Sequence, residues 1–167
     1  MDNQPLFPDN EVRPLKVICI ALPAGVTLMY LVVLTMMQPA TSTGLDTNSL
    51  TVLRMIHVVG TLLAVALQRF QYERVLSGKL FSRSRLTGLP LTFSQRYRLA
   101  VIARLAPLEG AALFGAVLMI IAAGSGALQR DATLYLHAIP LLLLIQAAIS
   151  CYPSAGKIAE LTREYQG

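Results

Sequence analysis

Long apolar runs alternate with short polar stretches along this chain. Each apolar run holds 20 to 27 residues and few charges, and about 20 residues of helix span the hydrocarbon core of a bilayer. The four runs cover residues 17–37, 50–70, 97–123 and 133–152. The pattern therefore predicts an all-α, polytopic membrane protein, a bundle of four transmembrane helices in residues 17–152.

The polar stretches differ in charge, and this difference predicts an orientation. Outside the spans, the basic residues lie in residues 1–16, in the long connection 71–96 and in residues 153–167, whereas the two short loops contain only Arg130. Cytoplasmic loops carry an excess of Lys and Arg. We expect both termini and the basic loop to be cytoplasmic, with an irregular N-terminal tail and a short C-terminal helix on the membrane surface.

Local signals suggest where the helices begin and end. Ser, Thr and Asn favour N-cap positions, so we expect Thr47, Asn48 or Ser49 to cap the second span and Ser94 to cap the third, whose helix begins near residue 95. The first part of the connection, residues 72–86, is predicted to continue the second helix.

Composition supports the membrane interpretation and excludes several functions. The chain is 54% hydrophobic and 14% charged, whereas soluble domains carry about 25% charged residues. The basic residues behind the net charge of +5 lie beside apolar runs. This placement indicates that they set the orientation of the chain in the membrane and do not bind nucleic acid. Cys19 and Cys151 have no metal or redox spacing. The sequence contains no nucleophile–base–acid set, phosphate loop or metal motif, so we expect neither an enzyme nor a metal site.

One acid, Glu109, lies near the middle of the third run. A charge at the bilayer centre costs roughly 2.5–3.5 kcal/mol on the milder insertion scales. Glu109 is therefore the candidate for binding a proton or cation. The structural alternative is a carboxylate that pairs with Arg54 or His57, or with the backbone.

Polar residues also follow one face of the second span. Arg54, His57, Thr61 and Gln68 recur at helical spacing, together with Ala64. Lipid does not accept such a face, so we expect it to point into the bundle or toward a partner.

The only two histidines suggest a second kind of site. His57 and His137 occupy similar depths in the second and fourth spans. Two histidines on neighbouring helices are able to hold a haem iron as axial ligands. The alternatives are therefore a haem b site or plain hydrogen bonds within the bundle.

A weak internal similarity accompanies these features. The stretch at residues 24–29 is similar to the stretch at residues 109–114. Together with the matched histidines, it suggests two tandem hairpins that arose by duplication.

The stretch from Glu109 to Phe114-Gly115 resembles the carboxylate helix of rotary ATPase subunit c, the proteolipid family. In that family an acid in an apolar helix is likewise followed by small residues and an aromatic–glycine pair. The resemblance implies that Glu109 is the ion-carrying carboxylate. The chain departs from the family in its second span, where Gly60 is the only glycine, and in its long connection.

These observations predict a small, non-enzymatic subunit of a larger complex in the bacterial inner membrane. We expect partners to be lipid and other membrane subunits, or further copies of the chain, joined through faces of small residues. Those residues are Ala106, Gly110, Ala112 and Ala116. The alternatives are a proteolipid-like proton or cation carrier that uses Glu109, and an electron-transfer subunit with bis-histidine haem b.

Overall fold

The computed structural model describes residues 7–35, 47–80 and 91–166. Most of these residues are helical, and none of them lies in a strand. The elements are α1 Asp9–Thr35, α2 Thr47–Leu76, α3 Phe93–Gly124, the short α4 Ala127–Arg130, a 3₁₀ segment Ala132–Ala138, α5 Ile139–Cys151 and α6 Ala155–Gln166. Among the described residues, four segments are long and apolar enough to cross a membrane, and the fourth joins the 3₁₀ segment to α5. The predicted four-span helical membrane fold is confirmed.

Helix α3 forms the centre of the bundle. It packs against α1, α2, α5 and the 3₁₀ segment. Leu105, Leu108, Ala112 and Ala116 of α3 are fully buried. The two alanines let neighbouring backbones come close to α3, because small side chains reduce the distance at which helices pack.

The N-terminal segment is helical over residues that were expected to be irregular. Helix α1 begins at Asp9, so the predicted irregular tail is wrong from that residue to residue 16. Val12 and Leu15 are buried, and this helical spacing gives the segment an apolar face. Phe7 packs edge-to-face against Phe93 and Tyr97, with ring centroids 5.6 and 5.7 Å apart. The start of α1 is thereby held against the start of α3.

Helix α3 also begins earlier than predicted. Thr92, not Ser94, is its N-cap, and it forms a capping box with Gln95: the Thr92 side chain accepts from the Gln95 N–H, and the Thr92 N–H donates to Gln95 Oε1. Ser94 is buried, and its hydroxyl bonds to that of Thr92 at 3.0 Å. Thr and Ser are both favoured at N-cap positions. Only Thr92 is followed, three positions later, by a glutamine whose side chain accepts a hydrogen bond from the N-cap backbone N–H.

Helix α2 is longer at its start and shorter at its end than expected. It begins at Thr47, so the three predicted cap positions all lie in its first turn. It ends at Leu76, and Gly78 follows with φ of 73°, a conformation that glycine adopts without strain. The predicted continuation is therefore wrong for residues 77–80, and residues 81–86 lie outside the described part.

The fourth span and α6 complete the fold. Pro140 lies in the first turn of α5, where its missing N–H costs no helical hydrogen bond. In α6, Leu161 is buried and Ile158 packs on the core. The position of α6 on a membrane surface stays a prediction. The tandem-hairpin duplication also stays a prediction, although α1 packs chiefly on α3 and α5, and α2 on α3.

Candidate functional site

The two histidines touch each other in the interior of the bundle. His57 comes from α2 and His137 from the 3₁₀ segment, and their side chains are 3% and 5% exposed. The two Nδ1 atoms are 2.6 Å apart, and the rings meet edge-on with centroids 4.7 Å apart. Nε2 of His57 lies 3.0 Å from the carbonyl oxygen of Ala111 in α3. The pair therefore joins three elements through one hydrogen-bonded chain.

In this geometry the two histidines bond to each other and do not face each other across an iron. Axial ligands lie on opposite faces of the macrocycle, with the iron between their ring nitrogens. Here Nδ1 of His57 and Nδ1 of His137 are in direct hydrogen-bond contact, and Nε2 of His57 is already bonded to a carbonyl. His57 and His137 are thus hydrogen-bond partners of each other in this structure, and the haem b site stays a prediction.

Tyr30 of α1 and Gly115 of α3 lie against the histidine pair. The Tyr30 hydroxyl lies 3.0 Å from the carbonyl oxygen of Ala112 and 2.9 Å from that of His137, and it donates to these acceptors. Gly115 stands directly against this arrangement. A Cβ at residue 115 would collide with the His137 carbonyl oxygen and approach the Tyr30 hydroxyl to 2.7 Å. Sequence reasoning identified neither residue as part of a site, because neither carries a polar pattern.

An ion pair closes the same end of the bundle. Arg54 Nη1 of α2 donates to Asp131 Oδ2 at 2.7 Å, and Arg54 Nη2 donates to the Thr133 hydroxyl at 2.5 Å. The Thr133 hydroxyl and backbone N–H both donate to Asp131 Oδ1. These hydrogen bonds from Thr133, followed by that from Arg54, hold the pKa of Asp131 below its usual value, because they stabilise the ionised carboxylate. Arg54 and Asp131 thus tie α2 to the beginning of the fourth span.

The polar face of α2 points toward the protein, as predicted. Arg54, Thr61 and Gln68 are half-buried, whereas His57 and Ala64 are buried. Thr61 Oγ1 and Gln68 Oε1 are buried, yet neither has a hydrogen-bond partner within the described segments. Of the four predicted polar residues, Arg54 and His57 therefore belong to the site. Thr61 and Gln68 lie farther along the same face of α2.

Glu109 lies apart from this cluster. It is half-buried near the middle of α3, and it makes no hydrogen bond or ion pair with any residue that the structure describes. The alternative in which it pairs with Arg54 or His57 is wrong, because Arg54 bonds to Asp131 and His57 bonds to Ala111 and His137.

The surroundings of Glu109 explain its isolation. Leu105, Leu108 and Ala112 on one side of it are buried, whereas Ala106 and Gly110 on the other side are exposed. Glu109 therefore stands at the boundary between the core and the outer edge of α3. None of the ion pairs among the described residues involves Glu109.

Comparisons with known proteins add no assignment. Protein-family models, curated proteins and solved structures gave no match to this chain. The resemblance of the Glu109 stretch to rotary ATPase subunit c therefore stays a prediction. Across the described ranges, no group of three or more His, Cys, Asp or Glu residues is placed to hold a metal ion.

Proposed function

We propose that the chain is a non-enzymatic integral membrane subunit that assembles with another membrane helix along the outer edge of α3, next to Glu109. The observation that carries this proposal is the isolation of Glu109. Its carboxylate lies near the middle of a transmembrane helix without a partner among the described residues. An unpaired charge at that depth is costly, so a donor or cation supplied by a second helix would stabilise the assembled state.

The outer edge of α3 has the shape that close helix packing requires. Ala106 and Gly110 are exposed, and a Cβ at residue 110 would meet nothing within 4 Å. The buried small residues Ala112 and Ala116 serve contacts inside the bundle. The predicted small residues thus fall into an inner and an outer set, and the outer set is available to a partner.

Cysteine cross-linking in native membranes tests the proposed interface. We expect the Gly110→Cys variant to form an adduct with a bifunctional maleimide, and the mass of the adduct distinguishes a second copy of the chain from a different subunit. Gly60→Cys is the matched control, because residue 60 is also an exposed helical glycine with open space around its Cβ, but on α2. A Gly110→Cys protein that reacts fully with a monofunctional maleimide yet gives no adduct would contradict the proposal, as would equal adducts at both positions.

A second candidate function rests on the same carboxylate. Because Glu109 has no ion-pair partner within the described chain, it is free to bind a proton or cation and release it. If Glu109 binds ions, we expect dicyclohexylcarbodiimide to modify it and added cation to slow this modification. Glu109→Gln should abolish labelling, whereas Glu73→Gln, at an exposed position paired with Arg69, should leave it unchanged. Absence of labelling at every pH would exclude ion binding but would leave the interface proposal standing.

A further inference from the structure

A cavity of about 470 Å³ lies between α2 and the fourth span, beside the histidine pair. Its outer wall is apolar and faces away from the bundle: Met55, Leu62 and Leu136 are 67%, 65% and 61% exposed. In a bilayer these side chains contact lipid, so the cavity is entered from the hydrocarbon. Its volume falls within the range of about 300–1,000 Å³ that small-molecule pockets occupy.

The charges around the cavity are already paired. Arg54 lines it, but its guanidinium bonds to Asp131 and to the Thr133 hydroxyl. An ionised ligand would have to break this ion pair or enter apolar surroundings without a counter-charge, and both cost free energy. The cavity therefore suits a neutral ligand.

The hydrogen bonds of the histidine pair determine whether the remaining ring nitrogen, Nε2 of His137, carries a proton. The Ala111 carbonyl only accepts, so Nε2 of His57 carries a proton and Nδ1 of a neutral His57 is an acceptor. The short contact between the two Nδ1 atoms then requires His137 to supply the proton from its own Nδ1. Nε2 of a neutral His137 is consequently a bare acceptor, and His137 lines the cavity.

Thr61 supplies a second polar group in the same cavity. Its Oγ1 is buried and has no hydrogen-bond partner within the described residues, and Thr61 also lines the cavity. A hydroxyl both donates and accepts, so it complements another hydroxyl. The lining of the cavity thus includes a histidine with an acceptor nitrogen and a threonine whose unused hydroxyl lies just behind the apolar wall, where rotation of the Thr61 side chain brings it to a ligand.

We propose that this cavity binds a neutral amphiphile with a hydroxyl head group, either an alcohol or a phenol. The ligand O–H donates to Nε2 of His137, its oxygen accepts from the Thr61 hydroxyl, and its apolar part lies along Met55, Leu62 and Leu136. An ether of the same size has no proton for Nε2 and leaves that nitrogen without a donor. Discrimination between a hydroxyl and its methyl ether is therefore the signature of this site.

Nitrogen NMR of the full-length protein in mild detergent tests the proposal directly. The chain contains only two histidines, so ¹⁵N-histidine labelling gives few signals, and bare and protonated ring nitrogens resonate far apart. The probes are 1-dodecanol and 4-nonylphenol, each compared with its methyl ether. We expect the free protein to show a bare Nε2 at His137, and the hydroxyl probes to shift that signal in a saturable way. Saturation by only one of the two probes identifies the head group as alcoholic or phenolic.

A pair of threonine variants tests the second contact. Loss of one neutral hydrogen bond weakens binding by about 2- to 10-fold, and this is the loss that we expect for Thr61→Val. Thr27→Val is the control, because the Thr27 hydroxyl bonds to the Pro23 carbonyl within α1 and does not line the cavity. Its affinity for the hydroxyl probes should equal that of the unaltered protein.

Several results would overturn the proposal. A protonated Nε2 on His137 in the free protein would remove the acceptor. Equal shifts with the methyl ethers would show that the cavity takes any apolar chain, and no saturable shift with either hydroxyl probe would show that it takes neither class. Unchanged affinity in Thr61→Val would exclude the second contact.

Discussion

At the residue scale, the fold depends on a few polar atoms that are buried together. His57 and His137 tolerate burial because each uses its Nδ1 to satisfy the other. The Tyr30 hydroxyl and the Ala111 carbonyl extend the same network to α1 and α3. Gly115 makes the close approach possible, since any larger residue would occupy the space of the His137 carbonyl oxygen.

Substitution of Gly115 tests how tightly this network is packed. We expect Gly115→Ala to destabilise the protein by about 1–3 kcal/mol, the usual cost of overpacking, because the new methyl group meets backbone that cannot easily move. Thermal unfolding in detergent, followed by circular dichroism, measures the change.

Gly25→Ala is the control for this substitution, because nothing lies within 4 Å of a Cβ at residue 25. It should be neutral or slightly stabilising, since alanine is the better helix former. A Gly115→Ala protein as stable as Gly25→Ala would mean that the contact among α1, α3 and the 3₁₀ segment is looser than described.

At the element scale, polar contacts decide which helices meet. Asp131 follows Arg130 directly in the sequence, but its ion pair is with Arg54, far away along the chain. Asp131 also accepts from the Thr133 N–H at the start of the 3₁₀ segment. One carboxylate therefore both caps an element and joins it to α2.

The lowered pKa of Asp131 predicts a pH dependence of stability. A carboxyl group whose pKa is lower in the folded than in the unfolded protein stabilises the fold above its unfolded pKa of about 3.9. That contribution is lost as pH falls through the folded pKa, because the protonated group no longer accepts from Thr133 and Arg54 as an anion. We expect the melting temperature of the unaltered protein to fall more steeply below about pH 4 than that of Asp131→Asn.

A control variant distinguishes the acid-dependent loss of stability caused by Asp131 from that caused by other carboxylates. Glu160→Gln removes an acid whose ion pair with Lys157 lies within α6 and joins no other element, so this variant should keep the full acid sensitivity of the unaltered protein. If Asp131→Asn and the unaltered protein lost stability in parallel between pH 6 and pH 3, the ion pair with Arg54 would have no measurable role.

At the scale of the whole molecule, the arrangement of basic residues predicts the orientation in the membrane. The described residues contain four candidate spans, so both ends of the described chain lie on one side of the bilayer if every span crosses. Ser77 follows α2 on the side of the basic loop, and Ala132 begins the fourth span on the other side; both are exposed. Cys19 and Cys151 are buried and should contribute little background.

Cysteine labelling with a membrane-impermeant maleimide tests this orientation. We expect Ser77→Cys to react in inverted vesicles and to be protected in intact cells. Ala132→Cys should show the reverse, because the positive-inside rule places the basic loop in the cytoplasm. The opposite pattern would invert the topology, and labelling of both variants from one side would contradict the four-span arrangement.

The sequence by itself determined the number of spans, their approximate limits and the inward polar face of α2. These properties follow from hydrophobic length and helical period, which are local and depend on the cost of placing polar groups in lipid. Helix ends were less predictable, because Thr92 and Ser94 are equally good caps until a reciprocating Gln95 selects one of them.

Only the tertiary structure decided the partners of the polar residues. It brought His57 onto His137, gave Asp131 to Arg54, and left Glu109 at the outer edge of α3. A side chain bonds to whichever group the packing of distant elements places within about 3 Å. That distance depends on how α2, α3 and the fourth span meet, and no local pattern in the sequence encodes it.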